Sequence, residues 1–330
     1  MINFVFLILL LFNINTLSAA DNQSTDNGLS KSAKDFNHWK KETKKYFKNQ
    51  GFKEKTISYI DELVFKRKVI ELDRKQPEFK LTFNEYIKKV ISNDIILKGK
   101  SNLKKNKNLL KNIEQNFNIP KNLIVSLWGI ETFYGKYTGG FDVLNSLATL
   151  SFDGRRSKFF YKEFEYALMI IEQEFLEREY LKGSWAGAIG QTQFMPSTFI
   201  NYAIDFDENG KMDLLNDKGD ALASGANYLK KIGWDINKNW GEQIYIDITE
   251  NPNFIKFSND KLFRDKSFWE SYGIKFKKKY SKNEQLKLVI PDQVSKKYFL
   301  VTKNFDVILN WNRSNYFALA VNILSDKIYE

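Results

Sequence analysis

The chain has 330 residues, with 51 Lys and Arg against 40 Asp and Glu, a formal charge of +11. That length accommodates one large domain or two modest ones. With no cysteine, a disulfide framework, a thiolate nucleophile and a Cys metal site are excluded; the one histidine, His38, lies in a polar stretch that reads as solvated surface and offers poor material for a Ser-His-Asp triad or a His-rich zinc site. In chain order, Phe4 to Phe12 (FVFLILLLF) is a short apolar run followed by Ser18-Ala19-Ala20 and then by polar DNQSTDNG. It is short for a transmembrane helix and fits a signal peptide over 1–20, cleaved near Ala20; the missing Lys or Arg before it leaves an uncleaved anchor as the alternative. The expected mature chain is periplasmic or otherwise exported, soluble, and without a transmembrane anchor.

Residues 21–75 read as a polar, helical lead-in, and from about 35 to 118 Leu, Ile and Phe recur at helical spacing. The first twenty residues are uncharged, so the positive charge belongs to the mature part and suits an anionic partner. The Lys-rich run 97–112 alternates with apolar residues, as a solvated helix face does, and no nucleic-acid-binding motif is present, so no nucleic acid partner is expected. From 118 to 240, Gly, Ser, Trp and short polar loops interrupt helical segments. Between 243 and 307, QIYIDI, FIKFS, LKLVIP and KYFLVT read as short strands of a small antiparallel β insertion, and YFALAVNILSDKI at 316–328 returns to helix. The expected architecture is mainly α, with 76–242 plus 308–330 forming one helical region around the β insertion.

Within NIPKNLIVSLWGIETFYG one acid, Glu131, sits among Trp128, Ile130, Phe133 and Tyr134. Asn118 is placed to cap, and Pro120 to sit near the first helical turn. Leu123, Leu127 and Glu131 then fall at i, i+4 and i+8, on one helix face. Desolvation and the negative end of the helix dipole both disfavour the carboxylate there, the condition a general acid needs near neutral pH. The alternative is a boundary Glu that reaches solvent or pairs with a base. GSWAGAIGQTQFMPSTF, 183–199, combines small residues that permit close approach with Gln191 and Gln193, amides of the kind that read hydroxyls and acetamides; a helix-packing seam accounts for the small residues but not for the amides. Arg155 and Arg156 beside Phe159 and Phe160 would meet an anionic substrate group, or form a solvated face. In DFDENGKMDLLNDKGD, 205–220, Asp205, Asp207, Asn209 and Gly210 hold positions 1, 3, 5 and 6 of an EF-hand-like loop, and Lys211 would offer its backbone carbonyl. Position 12 is Asn216 in place of a bidentate Glu, so the loop is either an irregular calcium site or an empty acidic turn.

SLWGIETFYG, LATLSFDGRRSKFF, GSWAGAIGQTQFMPSTF, the acidic loop and ALASGANYL occur in that order, and together they resemble the lytic murein transglycosylase B family. The resemblance runs from about residue 65 to WNRSNYFALAV and implies a lysozyme-like helical core with an N-terminal helical part and a small antiparallel β insertion. It further implies cleavage of the β-1,4 bond between N-acetylmuramic acid and N-acetylglucosamine in peptidoglycan, without water, leaving a 1,6-anhydro end. Glu131 matches the sole catalytic acid. Ser184 and Gln193 match polar contacts near the reacting sugars; Tyr86, Tyr228 and Asn312 match cleft positions; Arg156 matches a basic residue on the peptide or lactyl side; and Phe194 matches an aromatic wall. Trp311 stands where the best-known type carries Tyr, which keeps stacking and loses a hydroxyl. The resemblance places the closing carboxylate of the acidic loop at Asp220, completing Asp205, Asp207, Asn209 and Lys211 as ligands of a structural Ca2+. No cofactor is expected for catalysis. Expected partners are peptidoglycan glycan strands and cell-wall synthesis or remodelling proteins. The competing readings are a hydrolytic muramidase and a non-catalytic, calcium-dependent wall-binding module.

Overall fold

The computed structural model describes residues 33–74 and 81–329. The expected signal peptide and the start of the lead-in lie outside them. The described residues form fifteen α-helices and six short strands, grouped into two compact units, each built from two stretches of chain. Of the described residues, one unit takes 33–74 and Gly135–Gly225; the other takes 81–134 and 226–329.

The first unit begins with α1 (Ala33–Asn49), α2 (Glu54–Ser58) and α3 (Arg67–Arg74). After the interruption come β1 (Phe141–Asp142), α8 (Val143–Asp153), α9 (Ser157–Glu172), β2 (Lys182–Gly183), α10 (Pro196–Tyr202) and the start of α11 (Lys218–Lys231). The packed α8–α9 pair is its spine, and Gly154 ends α8 in the left-handed conformation (φ 96°). Apolar positions of α1 dock on that pair: Phe36 meets Phe152 edge-on at 5.2 Å, and Phe47 meets Phe164 at 6.0 Å. β1 and β2 form a two-stranded antiparallel ribbon that brings Phe141 opposite Gly183. The small residues that follow serve close packing: Gly190 has φ +74°, and a Cβ there would lie 2.5 Å from the Leu214 carbonyl oxygen. His38 is exposed, as its polar neighbourhood implied.

The second unit holds α4 (Phe83–Val90), α5 (Asn93–Lys105), α6 (Lys107–Phe117) and α7 (Lys121–Thr132). It continues with β3 (Gly241–Ile244), α12 (Asn253–Asp260), β4 (Arg264–Asp265), α13 (Lys266–Ser271), β5 (Gln285–Val289), β6 (Tyr298–Val301), α14 (Lys303–Trp311) and α15 (Asn315–Tyr329). α4 starts with a reciprocal capping box between Thr82 and Glu85. α7 is buried between α15, α5 and α6, and Ser126 and Asn122 on it donate to Val321 O and Ser325 Oγ of α15 at 2.6 and 2.9 Å. The strands run β3-β6-β5-β4, all neighbours antiparallel, with Leu300 opposite both Glu242 and Leu288. Phe254, Phe257, Trp269, Leu286, Leu288 and Leu300 form a core of their own beside this sheet.

Two local expectations change. FIKFS is not a strand but the body of α12. Its buried residues, Phe254 and Phe257, are three apart, the spacing of one helix face and not of one strand face. Asn118 does not cap α7: it closes α6 in the left-handed conformation (φ 55°), and Pro120 is the residue that precedes α7. Asn tolerates that conformation, so an Asn between two helices serves the end of one as readily as the start of the next. The strands of LKLVIP and KYFLVT are present as β5 and β6, and QIYIDI supplies only the end of β3. The helix expected at 316–328 is α15.

Candidate active site

The second unit positions Glu131. Leu123 and Leu127, each 2% exposed, and Glu131, 8% exposed, share the inner face of α7. Beyond Thr132 the helix ends abruptly because Phe133 (φ 52°) and Tyr134 (φ 62°) both take the left-handed conformation. That conformation is strained for aromatic residues, and it persists only where neighbours over-determine it. Here the neighbours are specific. Phe133 and Tyr134 N–H groups donate to Gly129 O and Trp128 O at 2.9 and 3.2 Å. The Tyr134 hydroxyl donates to Ile95 O at 2.6 Å, and its ring meets Trp128 edge-on at 5.5 Å. Gly129 makes room for that ring: a Cβ there would lie 2.7 Å from Tyr134 Cζ. The last turn of α7, and with it Glu131, is therefore pinned by packing on both sides.

Burial pushes the Glu131 carboxyl up to about 8, and the hydrogen bond it accepts from Trp311 pulls the other way. Trp311 Nε1 donates to Oε1 at 2.8 Å. Trp311 ends α14, and its indole packs edge-on against Tyr228 at 5.3 Å; the Tyr228 hydroxyl donates to Asn310 O at 2.9 Å. Tyr86, on α4, is buried against Tyr316 at 5.4 Å, and burial followed by the Glu131 charge holds its hydroxyl firmly protonated. Asn312 follows Trp311 in an extended conformation and is nearly buried. Four residues named from the sequence, Glu131, Tyr86, Tyr228 and Asn312, thus fall in one unit, with Trp311 bonded to the acid. The sequence flagged Trp311 only for a lost hydroxyl. What it carries instead is an indole N–H.

The first unit holds the remainder. Ser184 is buried and its hydroxyl accepts from Ala188 N at 3.0 Å. Gln193 is buried in the left-handed conformation (φ 52°), and its amide NH2 donates to Gly190 O at 2.9 Å and Thr138 O at 3.1 Å. Its Oε1 is buried with no hydrogen-bond partner among the described residues, an acceptor of the kind a ligand N–H satisfies. Phe194 is buried beside it. Arg156 does not point free: its guanidinium pairs with buried Asp73 at 2.5 Å and lies over the Phe160 ring at 4.8 Å. Gln191, the other amide of the 183–199 stretch, donates to Leu215 O at 3.1 Å.

The acidic loop also lies in the first unit. Asp205, Asp207 and Asp220 each bring a carboxylate oxygen to within 4.8 Å of the others. The loop is wound by its own backbone: Gly210 N donates to Asp205 Oδ2 at 2.7 Å, Asn209 N to Asp205 Oδ1 at 3.1 Å, and Lys211 N to Asn209 Oδ1 at 2.9 Å. Asp220 is fully buried at the start of α11 and accepts from Phe206 N at 2.7 Å and Asp213 N at 2.8 Å. Burial raises its carboxyl, with Asp217 and Asp205 adding repulsion. Asn216, at position 12, turns away to bond Asp213. Converging oxygen donors of like charge fit a hard divalent cation, and Asp220 takes the closing place that Asn216 leaves.

A helical unit that buries the Glu131 carboxyl at a helix end, with an indole donor on it, is the kind of arrangement that can hold a general acid. The chain belongs to the family described as the transglycosylase SLT domain, whose model matches residues 35–326. Among individual relatives it is 32% identical over 244 residues to the membrane-bound lytic murein transglycosylase B of Escherichia coli (strain K12). That match covers 72% of this chain and 64% of the relative, so the chain spans just under two thirds of that protein's length. Of solved structures, SltB3 from Pseudomonas aeruginosa in complex with NAG-NAM-pentapeptide is similar at a TM-score of 0.84 and 31% identity, over 89% of this chain and 79% of that one. The Escherichia coli lytic transglycosylase Slt35 in complex with calcium is similar at 0.76 and 29% identity, over 88% of this chain and 92% of that one. The mainly α architecture with small antiparallel sheets is the fold of these lytic transglycosylases.

Proposed function

We propose that the chain is an exported peptidoglycan lytic transglycosylase that cleaves the N-acetylmuramic acid–β-1,4–N-acetylglucosamine bond and leaves 1,6-anhydro ends, with Glu131 as acid and then base. The observation that carries this reading is the buried Glu131 carboxyl, pushed up to about 8 and fixed at a rigid helix end. At neutral pH it holds a proton to give. In the first step the C1–O4 bond breaks and O4 takes that proton. In the second the muramic acid C6 hydroxyl bonds to C1 and returns its proton to the carboxylate. The acid is restored, no water is consumed, and no second carboxylate nucleophile is needed. The relatives support the substrate class: SltB3 structures hold NAG-NAM-pentapeptide and NAG-anhNAM-pentapeptide.

In the unit that holds the acid, Tyr86, Tyr228 and Asn312 would line the glycan cleft; in the other unit, Ser184, Gln193 and Phe194 would contact sugars of the strand, and the orphaned Gln193 Oε1 suits an acetamide N–H. Arg156, already paired with Asp73, would present its remaining donors to a substrate carboxylate. Asp205, Asp207, Asn209, the Lys211 carbonyl and Asp220 would hold Ca2+ as a structural clip, which supplies charge neutralisation to the loop and takes no part in the reaction. The N-terminal signal would direct the chain to the periplasm, where wall synthesis or remodelling proteins are the expected company. No described helix is long and apolar enough to cross a membrane.

The test is digestion of purified sacculi by wild type and E131Q, with muropeptides weighed. Wild type should yield anhydro ends, one water lighter than hydrolysed ends, and E131Q should lose about a hundred- to ten-thousandfold in rate. Reducing ends alone would make the protein a hydrolytic muramidase, and retention of products by E131Q would remove Glu131 from the mechanism.

A further inference from the structure

Resting on Glu131 as the acid, we infer that Trp311 is a positioning residue that fixes Oε1 of that carboxyl as an acceptor, leaves its proton to Oε2, and stabilises the carboxylate formed when the proton departs. The geometry is a single contact, indole Nε1 to Oε1 at 2.8 Å, inside the second unit. An indole N–H can only donate. It therefore bonds an oxygen without a proton in either state of the acid, and the one oxygen open to protonation is Oε2. A phenol at the same place would donate or accept and would impose no such choice.

The contact also discriminates between the two states. A hydrogen bond to a carboxylate is shorter and roughly twice as strong as one to a neutral acid. Trp311 consequently strengthens its hold as the proton moves to the glycosidic oxygen, and assistance that grows along the reaction lowers the barrier. It opposes the burial that would otherwise leave Glu131 too weak an acid to work. The indole is not free to drift: Tyr228 packs edge-on against it and is itself tied to Asn310 O, one residue before Trp311.

Several charged or titratable groups on the elements packed against α7 have partners of their own. Tyr86 of α4 is the titratable group whose interaction reaches Glu131. On α5, Lys98 is held by Asp94 at 3.0 Å and lies over Phe133. On α6, Glu114 pairs with Lys121 at the far end of α7. On α15, the Tyr316 hydroxyl donates to Asp292, and Asp326 takes Trp240 Nε1 and Lys278, with Lys327 in the last turn. On α14, Asp306 pairs with Lys287. Among the described residues, Trp311 is the side chain that donates a hydrogen bond to the acid itself.

The test compares wild type, W311F and W311Y. W311F keeps a ring for Tyr228 and removes the donor; W311Y restores one. In W311F the alkaline limb of kcat/KM against pH should move upward by about one unit, because a contact that favours the carboxylate is gone. At the acidic plateau kcat should fall on the order of ten- to a hundredfold with KM little changed. W311Y should recover part of both. A second readout needs no turnover: the 13C carboxyl resonance of Glu131, assigned by its absence in E131Q, should titrate higher in W311F. If W311F leaves the carboxyl titration and the limb in place, Trp311 only packs and the inference is overturned, whatever happens to kcat. If the resonance shifts as expected but wild type makes no anhydro product, the positioning stands and the proposed reaction fails.

Discussion

Two acidic sites in this chain use the same functional group in opposite ways. Around Glu131 a single carboxyl is buried among aromatic rings and accepts one indole N–H, so desolvation dominates and the group keeps its proton. In the 205–220 loop three carboxylates converge and are wrapped by backbone N–H donors, so repulsion among like charges is the unrelieved cost. The first arrangement stores a proton; the second suits a cation. Burial alone does not distinguish them, because Asp220 and Glu131 are both shielded from solvent and burial raises both carboxyls. The neighbours decide: apolar surface with a single donor in one case, acidic partners in the other.

The largest test of that contrast is the pH dependence of stability. The Glu131 carboxyl ionises near 4.5 when unfolded and near 8 when folded. Between those values the folded chain retains a proton the unfolded chain has lost, so stability falls as pH rises through the window, by about 5 kcal/mol. E131Q should lack this fall, and denaturant unfolding at pH 5 and pH 8.5 should show the variant gaining on wild type at the higher pH. Parallel losses in both proteins would mean that the carboxyl is not desolvated as described.

Next in size is the cation. Ca2+ at a hundredfold its dissociation constant should raise wild-type stability by about 2.7 kcal/mol. D220N should abolish the shift, and chelator should reverse it in wild type without changing the Glu131 titration. A calcium shift surviving in D220N would place the cation elsewhere. The smallest effect belongs to the clamp under the acid. Y134F removes the hydroxyl bond to Ile95 O and should cost about 1 kcal/mol, with the helix-end amides of Phe133 and Tyr134 exchanging faster. Unchanged exchange there would show that ring packing on Trp128 and Gly129 suffices to hold the strained turn.

Much of the acid site was legible because its signals are local. Four-residue spacing put Leu123, Leu127 and Glu131 on one face, and α7 buries all three. The run of Asp205, Asp207 and Asn209 announced an oxygen-lined loop in the same way. The strand-like reading of FIKFS failed because a five-residue apolar run does not distinguish a strand from a buried helical turn until its partners are known. Asn118 failed for a related reason: the same residue type ends one helix or begins another, and only the backbone direction chooses.

The sequence by itself determined which residues could do the chemistry: one acid on an apolar stripe, amides and small residues, a cluster of carboxylates, and no histidine or cysteine alternative. Tertiary structure decided what each is bonded to. The indole that meets Glu131 is 180 residues away along the chain, and Asp220 closes its loop from the first turn of a helix. A hydrogen bond requires two groups to meet within about 3 Å. When the chain between them is long, that meeting is set by packing of whole helices, which no local pattern records.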